Sequence, residues 1–269
     1  MALQRVAINA SDPSVDGTLL AWHEPGAQGM LVNGPNASRV AGTHPALGGA
    51  RLAVVRDGVI DVQATSGPPF ALTVPATGAD AVAVSAAWLA WRAGESLYAA
   101  PLAGGPAQHV FRAAELGRPA LDGNLLAFHV AGRSGGRIIV ADLTTGRRQT
   151  VRRERRALLL NPSLFGGSML YVRALYTGQE VRHGALTRRS PRRDGRLYST
   201  VPTGRRDAGH EAGKAHHRHG HPRTLWRRPR EGVAATLWTT ALAPDAAYVT
   251  RLRQIVGRPL EAEIVRIPR

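Results

Sequence analysis

Residues 13–22 read P-S-V-D-G-T-L-L-A-W, and residues 119–128 read P-A-L-D-G-N-L-L-A-F. Proline, Asp-Gly and Leu-Leu-Ala recur at identical offsets. Residues 45–54, P-A-L-G-G-A-R-L-A-V, keep the same frame, and residues 162–172, P-S-L-F-G-G-S-M-L-Y-V, keep it with one extra residue. Two weaker copies are V-A-V-S-A-A-W-L-A-W at 82–91 and L-A-P-D-A-A-Y-V-T-R at 242–251. The aligned apolar positions are Leu20, Leu52, Leu89, Leu126, Leu170 and Val249, spaced by 32, 37, 37, 44 and 79 residues. The first four spacings approach the roughly 40 residues of a four-stranded propeller blade. The last spans one blade with an insertion of about a blade's length.

Each unit reads as strands. An Asp-Gly or Gly-Gly turn reverses the chain. An apolar run follows: Leu19 to Trp22, Leu52 to Val55, Trp88 to Trp91 and Leu125 to Phe128. A third strand comes next, as at Ser96 to Leu102 or Arg137 to Leu143. A polar fourth strand completes the unit, as at Gln108 to Phe111 or Gln149 to Arg152. Long helical periodicity is absent, while 30 glycines and 18 prolines punctuate short runs. One such unit cannot cover its own apolar faces, whereas six arrayed radially can. Leu260 to Ile267 reads as a third strand without a fourth, so Gln4 to Ile8 is expected to complete the last blade from the other terminus. The expected fold is therefore an all-β propeller of six four-stranded blades forming one domain over 1–269. An open β-sandwich of similar strand count is the competing architecture.

The repeat P-x-x-D-G-x-x-L-A at 13–21 and 119–127 resembles that of TolB-like propellers, over residues 4–180 and 233–267. The Gly-His and Trp-Asp signature of the WD-repeat family is absent. The resemblance implies a six-bladed ring with a central channel that contacts a protein or ligand. Such propellers also gate serine-peptidase domains, for which this length leaves no room. Architecture alone carries no chemistry.

Composition narrows the function. With 43% hydrophobic and 20% charged residues, 269 residues can bury a sizeable core. No apolar run approaches the about 18 residues of a spanning helix. No cysteine is present, which excludes disulfides, thiol catalysis and cysteine-ligated metal. The net charge is +16, and Lys214 is the only lysine among 35 basic residues. Arginine abundance beside Ala, Gly and Pro fits a GC-rich genome. Its distribution says more. Residues 147–156 hold six arginines and one acid, and residues 182–230 hold 14 basic residues and three acids. These nets of +5 and +11 make up the whole excess, carried by one loop and one insertion in the fifth blade.

That insertion, residues 182–230, is read as basic, His-rich, flexible and surface-displayed. Its candidate anion or partner contacts are Arg188, Arg189, Arg192, Arg193, Arg205, Arg206, Arg227 and Arg228, with Tyr198 and Trp226 as sparse stacking faces. Nucleic acid, acidic lipid and acidic cell-surface polymer share the chemistry these would recognise. His210, His216, His217, His219 and His221 fall within twelve residues. Of these His216, His217, His219 and His221 are weak metal candidates, without the rigid frame a site needs. Gly132-Arg133-Ser134-Gly135-Gly136 matches G-x-S-x-G, but Ser134 lies between two strands, where a hairpin loop explains it. No catalytic residue and no cofactor is expected. Trp22, Trp88, Trp91 and Phe128 are read as packing between blades, and His23 and His129 as structural. Asp16 and Asp122 are read as caps of their own Asp-Gly turns. Two Asn-x-Ser sequons, at Asn9 and Asn36, matter only in a eukaryotic secretory path. No signal peptide is legible in the first 25 residues, so the chain as written is expected in the cytoplasm, with export open if a leader precedes Met1.

The expected function is a non-catalytic binding or scaffold module. The alternative is a hydrolase or lyase with its site at the channel mouth.

Overall fold

The computed structural model describes residues 4–24, 29–33, 36–132, 135–175, 178–186, 195–200, 233–255 and 259–268. They form six four-stranded antiparallel sheets. The first strand, β1 (Gln4–Ile8), stands apart from its neighbours in sequence. Next come β2 (Ser11–Asp16), β3 (Leu19–His23), β4 (Gly29–Asn33) and β5 (Asn36–Val40), then β6 (Thr43–Leu47), β7 (Arg51–Arg56), β8 (Val59–Ala64) and β9 (Ala71–Pro75). The third sheet is β10 (Ala79–Val84), β11 (Trp88–Ala93), β12 (Ser96–Pro101) and β13 (Gln108–Arg112). The fourth is β14 (Ala120–Asp122), β15 (Leu125–Gly132), β16 (Gly135–Asp142) and β17 (Arg148–Glu154). The fifth is β18 (Leu158–Phe165), β19 (Ser168–Leu175), β20 (Gly178–Ala185) and β21 (Gly195–Thr200). The sixth joins β22 (Val233–Leu242), β23 (Ala246–Ile255) and β24 (Glu261–Pro268) to β1, which pairs with β24.

The sheets stand around an axis. Each first strand touches the first strand of the next sheet, and β22 touches β2, so the circle closes. The core is correspondingly divided into one apolar layer per interface. Trp91 and Val84 pack with Val55 and Val62, Phe128 with Leu97 and Ala90, and Met169 with Ile138. Val265 packs with Val172, Trp22 with Ile264, and Leu52 and Val54 with Ala21. The repeated positions Leu52, Leu89, Leu126, Leu170 and Val249 are each at most 1% exposed. Each such side chain contributes about 1.5–3 kcal/mol by leaving water. The architecture is an all-β propeller, with both terminal strands in one sheet. Among the described residues no helix is long and apolar enough to cross a membrane.

Two expectations need correction. The 147–156 segment is not a loop, because Arg148–Glu154 is β17, the outer strand of its sheet. The 182–230 segment is partly sheet, because it supplies the end of β20 and all of β21.

Candidate functional site

The six first strands β2, β6, β10, β14, β18 and β22 line a cavity of about 220 Å³ on the ring axis. Pro13, Pro45, Pro119 and Pro162, the repeated prolines, are all on its wall. The residue before each of them is polar: Asp12, His44, Arg118 and Asn161.

Three of those four are bulged out of their ladders. Pairing skips between Ser11 and Ser14, between Thr43 and Ala46, and between Leu160 and Ser163. Asp12, His44 and Asn161 take positive φ there, at 57°, 50° and 47°. Asp, His and Asn are the non-glycine types that tolerate this region. A bulge re-aims its side chain away from the regular alternation. The same local event, repeated around the ring, therefore gathers polar groups at one end of the channel.

What gathers is mostly satisfied. The Asp12 carboxylate forms an ion pair with Arg118 and lies 3.8 Å from His44 Nδ1. The Asp12 N–H donates to Thr239 Oγ1 at 3.2 Å and to Thr250 Oγ1 at 3.1 Å, and those hydroxyls bond each other at 2.7 Å. Asn161 donates its N–H to His129 Nδ1 at 2.9 Å and its Nδ2 to the Trp238 carbonyl, also at 2.9 Å. Thr240 donates to the Asn161 carbonyl at 2.8 Å. His23 stacks on His44 with ring centroids 5.3 Å apart.

Electrostatics follow from this packing. Burial alone would raise the Asp12 carboxyl, but Arg118, then His44 and Thr239, outweigh it and hold the group at about 2. Burial lowers His129 to about 4, with the Arg92 guanidinium adding to the shift. Burial also lowers His23, as does His44 beside it. Arg92 is fixed by a two-point contact with Asp80, at 2.7 and 3.0 Å, and by the Leu116 carbonyl at 2.8 Å. Gly117 closes over His129, where a Cβ would come within 1.9 Å of the ring. A neutral imidazole accepting one N–H is what this pocket admits.

The sequence reading found part of this. His23 and His129 belong to the cluster, and His129 is a buried hydrogen-bond acceptor. Trp22, Trp91 and Phe128 lie between sheets, as expected, and Trp88 packs beside them. Asp16 departs from expectation: its carboxylate accepts the N–H of Ala50, in the turn of the neighbouring sheet, at 2.8 Å. Ser134 lies outside the described residues. So do Arg188, Arg189, Arg192, Arg193, Arg205, Arg206, Arg227 and Arg228, and the histidines at 210, 216, 217, 219 and 221. Asp12, His44, Arg118, Asn161, Thr239 and Trp238 were missed. The column of polar residues before the repeated prolines was the available signal for four of them. Trp238 is 48% exposed beside Thr239, unlike the buried tryptophans. Among the described residues no group of three or more His, Asp or Glu is arranged to hold a metal ion.

No protein-family model matches the chain, and no curated protein matches it. Solved structures do resemble it. A chain of the nidogen/laminin complex superposes with a TM-score of 0.54 at 10% identity, covering 88% of each chain. A prolyl endopeptidase gives 0.51 at 13% identity, covering 96% of this chain and 42% of that one. TolB from Acinetobacter baumannii gives 0.50 at 12% identity, covering 93% of this chain and 60% of that one. The chain thus spans less than two thirds of the last two. At such identities the likeness establishes the propeller fold alone.

Proposed function

We propose that this chain is a non-catalytic TolB-like propeller of six blades, which binds a small ligand or a protein segment at the polar end of its channel. The carrying observation is the cluster itself. Its carboxylate is committed to Arg118, and its buried hydroxyls are committed to each other and to the Asp12 N–H. Catalysis by a hydroxyl nucleophile needs one held by a base, whereas recognition needs a fixed polar frame beside apolar surface. Trp238, half-exposed next to that frame, supplies such a surface. A cavity of about 220 Å³ lies below the usual range of roughly 300–1,000 Å³ for drug-sized ligands. It suits a small solute or one inserted side chain. A thermal-shift screen of amino acids, small sugars and short peptides tests this reading. It expects a ligand that raises the melting midpoint of the native chain and not of Trp238→Ala, whose exposed position spares the fold. Equal shifts in both chains count against it.

A second reading rests on the Asp12 carboxylate lying 3.8 Å from His44 Nδ1, a carboxylate placed to orient a histidine base. On that reading the mouth holds a hydrolase or lyase site. Turnover of chromogenic esters by the native chain, abolished in His44→Ala, would favour it.

The remainder of the basic stretch 182–230 is proposed as an insertion that contacts an anionic polymer through Arg188, Arg189, Arg192, Arg193, Arg205, Arg206, Arg227 and Arg228. Deleting 201–222, which leaves β21 (Gly195–Thr200) in place, and measuring heparin and nickel retention reads the arginines and the histidines of that stretch in turn.

A further inference from the structure

Arginine is paired almost everywhere that the structure describes it. Arg56 meets Asp61, Arg92 meets Asp80, Arg112 meets Glu95, Arg251 meets Glu263 and Arg266 meets Asp245. The exceptions are Arg51, which donates to the Ala50 carbonyl and lies over the Phe70 ring, and a group on β17, its flanks and the facing β16. Glu154 is the one acid on β17, and Arg173 on β19 takes it with two contacts of its Nε, at 2.9 and 2.7 Å. Arg137, Arg147, Arg148, Arg153, Arg155 and Arg156 have no carboxylate partner among the described residues. Arg148 instead bonds the Val110 carbonyl at 2.9 Å and covers the Phe111 ring.

Two features set this patch apart from a merely solvated face. Arg153 stands directly opposite Arg137 on β16, and like charges in that relation destabilise a sheet. Arg148 and Arg153, five residues apart, would fall on opposite faces of a regular strand. The pairing skips Val151, so that Arg148, Thr150 and Arg153 stand opposite Ala141, Ile139 and Arg137. The bulge therefore brings three arginines to one face. Charge can also guard a free sheet edge against chance pairing. The outer strands β9 (A-L-T-V-P) and β5 (N-A-S-R-V) are edges too, with no charge and with one. β17 itself carries three arginines, Arg148, Arg152 and Arg153, more than guarding an edge calls for.

We propose that the outer edge of β17 is a docking surface for an acidic peptide segment in extended conformation, added as a fifth strand. β17 is the last strand of its sheet, so its outer backbone groups face no strand among the described residues. An added strand takes its affinity from those groups and its specificity from alternating side chains. Carboxylates at every second position would meet Arg148, Arg153 and Arg137 on one face, turning the cross-strand repulsion into attraction. The patch repels basic strands by the same charge and offers neutral ones no ion pair. Single-stranded nucleic acid shares the electrostatics but needs open stacking faces, and Arg148 already covers Phe111.

The test is fluorescence anisotropy with the full chain and a labelled Glu-Thr alternating peptide of about eight residues, enough for one strand. A second peptide carries the same charges with proline in place of threonine. A third probe is oligothymidylate of equal charge. The proposal expects the Glu-Thr peptide to bind, and the proline peptide to bind at least about tenfold more weakly for want of backbone bonds. Arg137→Gln/Arg153→Gln should lose a similar factor with a melting midpoint that is unchanged or, with the like-charge pair gone, higher. A chain with Arg205, Arg206, Arg227 and Arg228 all changed to Gln should keep its binding. Equal affinity for the proline peptide, tighter binding of oligothymidylate, loss confined to the 205–228 variant, or no binding overturns it. A fall in midpoint for the double variant is met by Arg153→Gln alone at the exposed edge, where retained affinity overturns the proposal and lost affinity supports it.

Discussion

At His129 burial and the Arg92 charge keep the imidazole neutral down to about pH 4, against an ordinary 6.5. The unfolded chain therefore takes up this proton first. Stability from His129 is complete above about pH 6.5 and is lost as pH falls toward 4, by on the order of 3 kcal/mol. Asp12 acts lower on the scale. Its carboxyl is held at about 2 against an ordinary 3.8, so its contribution is present above about pH 4 and lost on the way to 2, by on the order of 2 kcal/mol. Urea unfolding across this range should show both slopes. His129→Gln can still accept the Asn161 N–H and should flatten the upper slope alone. A native chain whose stability is constant from pH 6.5 to 4 would contradict the assignment. Asp12→Asn should flatten the lower slope and cost about 3–5 kcal/mol at neutral pH, because it leaves Arg118 facing a group without charge.

Between strands, the repeated turn shows what a sequence frame conveys and what it hides. Gly17 and Gly49 occupy the same position of the repeat, and both take positive φ, at 58° and 60°. The turn was legible because Asp-Gly and Gly-Gly have few other uses. Its surroundings were not. A Cβ on Gly17 would meet nothing within 4 Å, whereas one on Gly49 would lie 2.1 Å from the Ala86 N. Gly17→Ala should cost about 1 kcal/mol, the left-handed penalty alone. Gly49→Ala adds a backbone collision with the next sheet and should cost more than about 3 kcal/mol. Paired chemical denaturation measures the difference, and equal costs would deny the close approach. The polar cluster was hidden for the same reason. The repeat preserves a position before proline, while the residue there changes among Asp, His, Arg and Asn. Only the bulges and the ring bring those four chemistries to one place, and neither is written in a single unit. Asp16 illustrates the point from the other side. A turn aspartate is read as bonding its own turn, and the ring offers it the N–H of Ala50 instead.

For the whole ring, closure depends on β1. Strand alternation and the missing fourth strand after Leu260 made that closure legible, since an open last sheet would leave an edge unpaired. What the sequence left unread was the charge that fastens it. Glu263 on β24 is 2% exposed, and three arginines reach it: Arg5 from β1 at 2.7 Å, Arg251, and Arg253 at 3.8 Å. Val6 and Ala7 pack with Trp22 and Ile264 in the same closing layer. Removing residues 1–8 thus takes away four paired positions, one ion pair to a buried carboxylate and part of an apolar layer. At about 1 kcal/mol per backbone hydrogen bond, the ladder alone is worth on the order of 4 kcal/mol. With roughly 2–4 °C per kcal/mol for a chain of this size, the melting midpoint should fall by about 10 °C or more. The shortened chain should also associate, because β24 becomes a bare edge beside exposed apolar side chains. Calorimetry and light scattering read the two effects separately. A midpoint unchanged by the deletion would mean that the ring holds without its first strand. A lowered midpoint without association would mean that the β24 edge finds cover within its own chain.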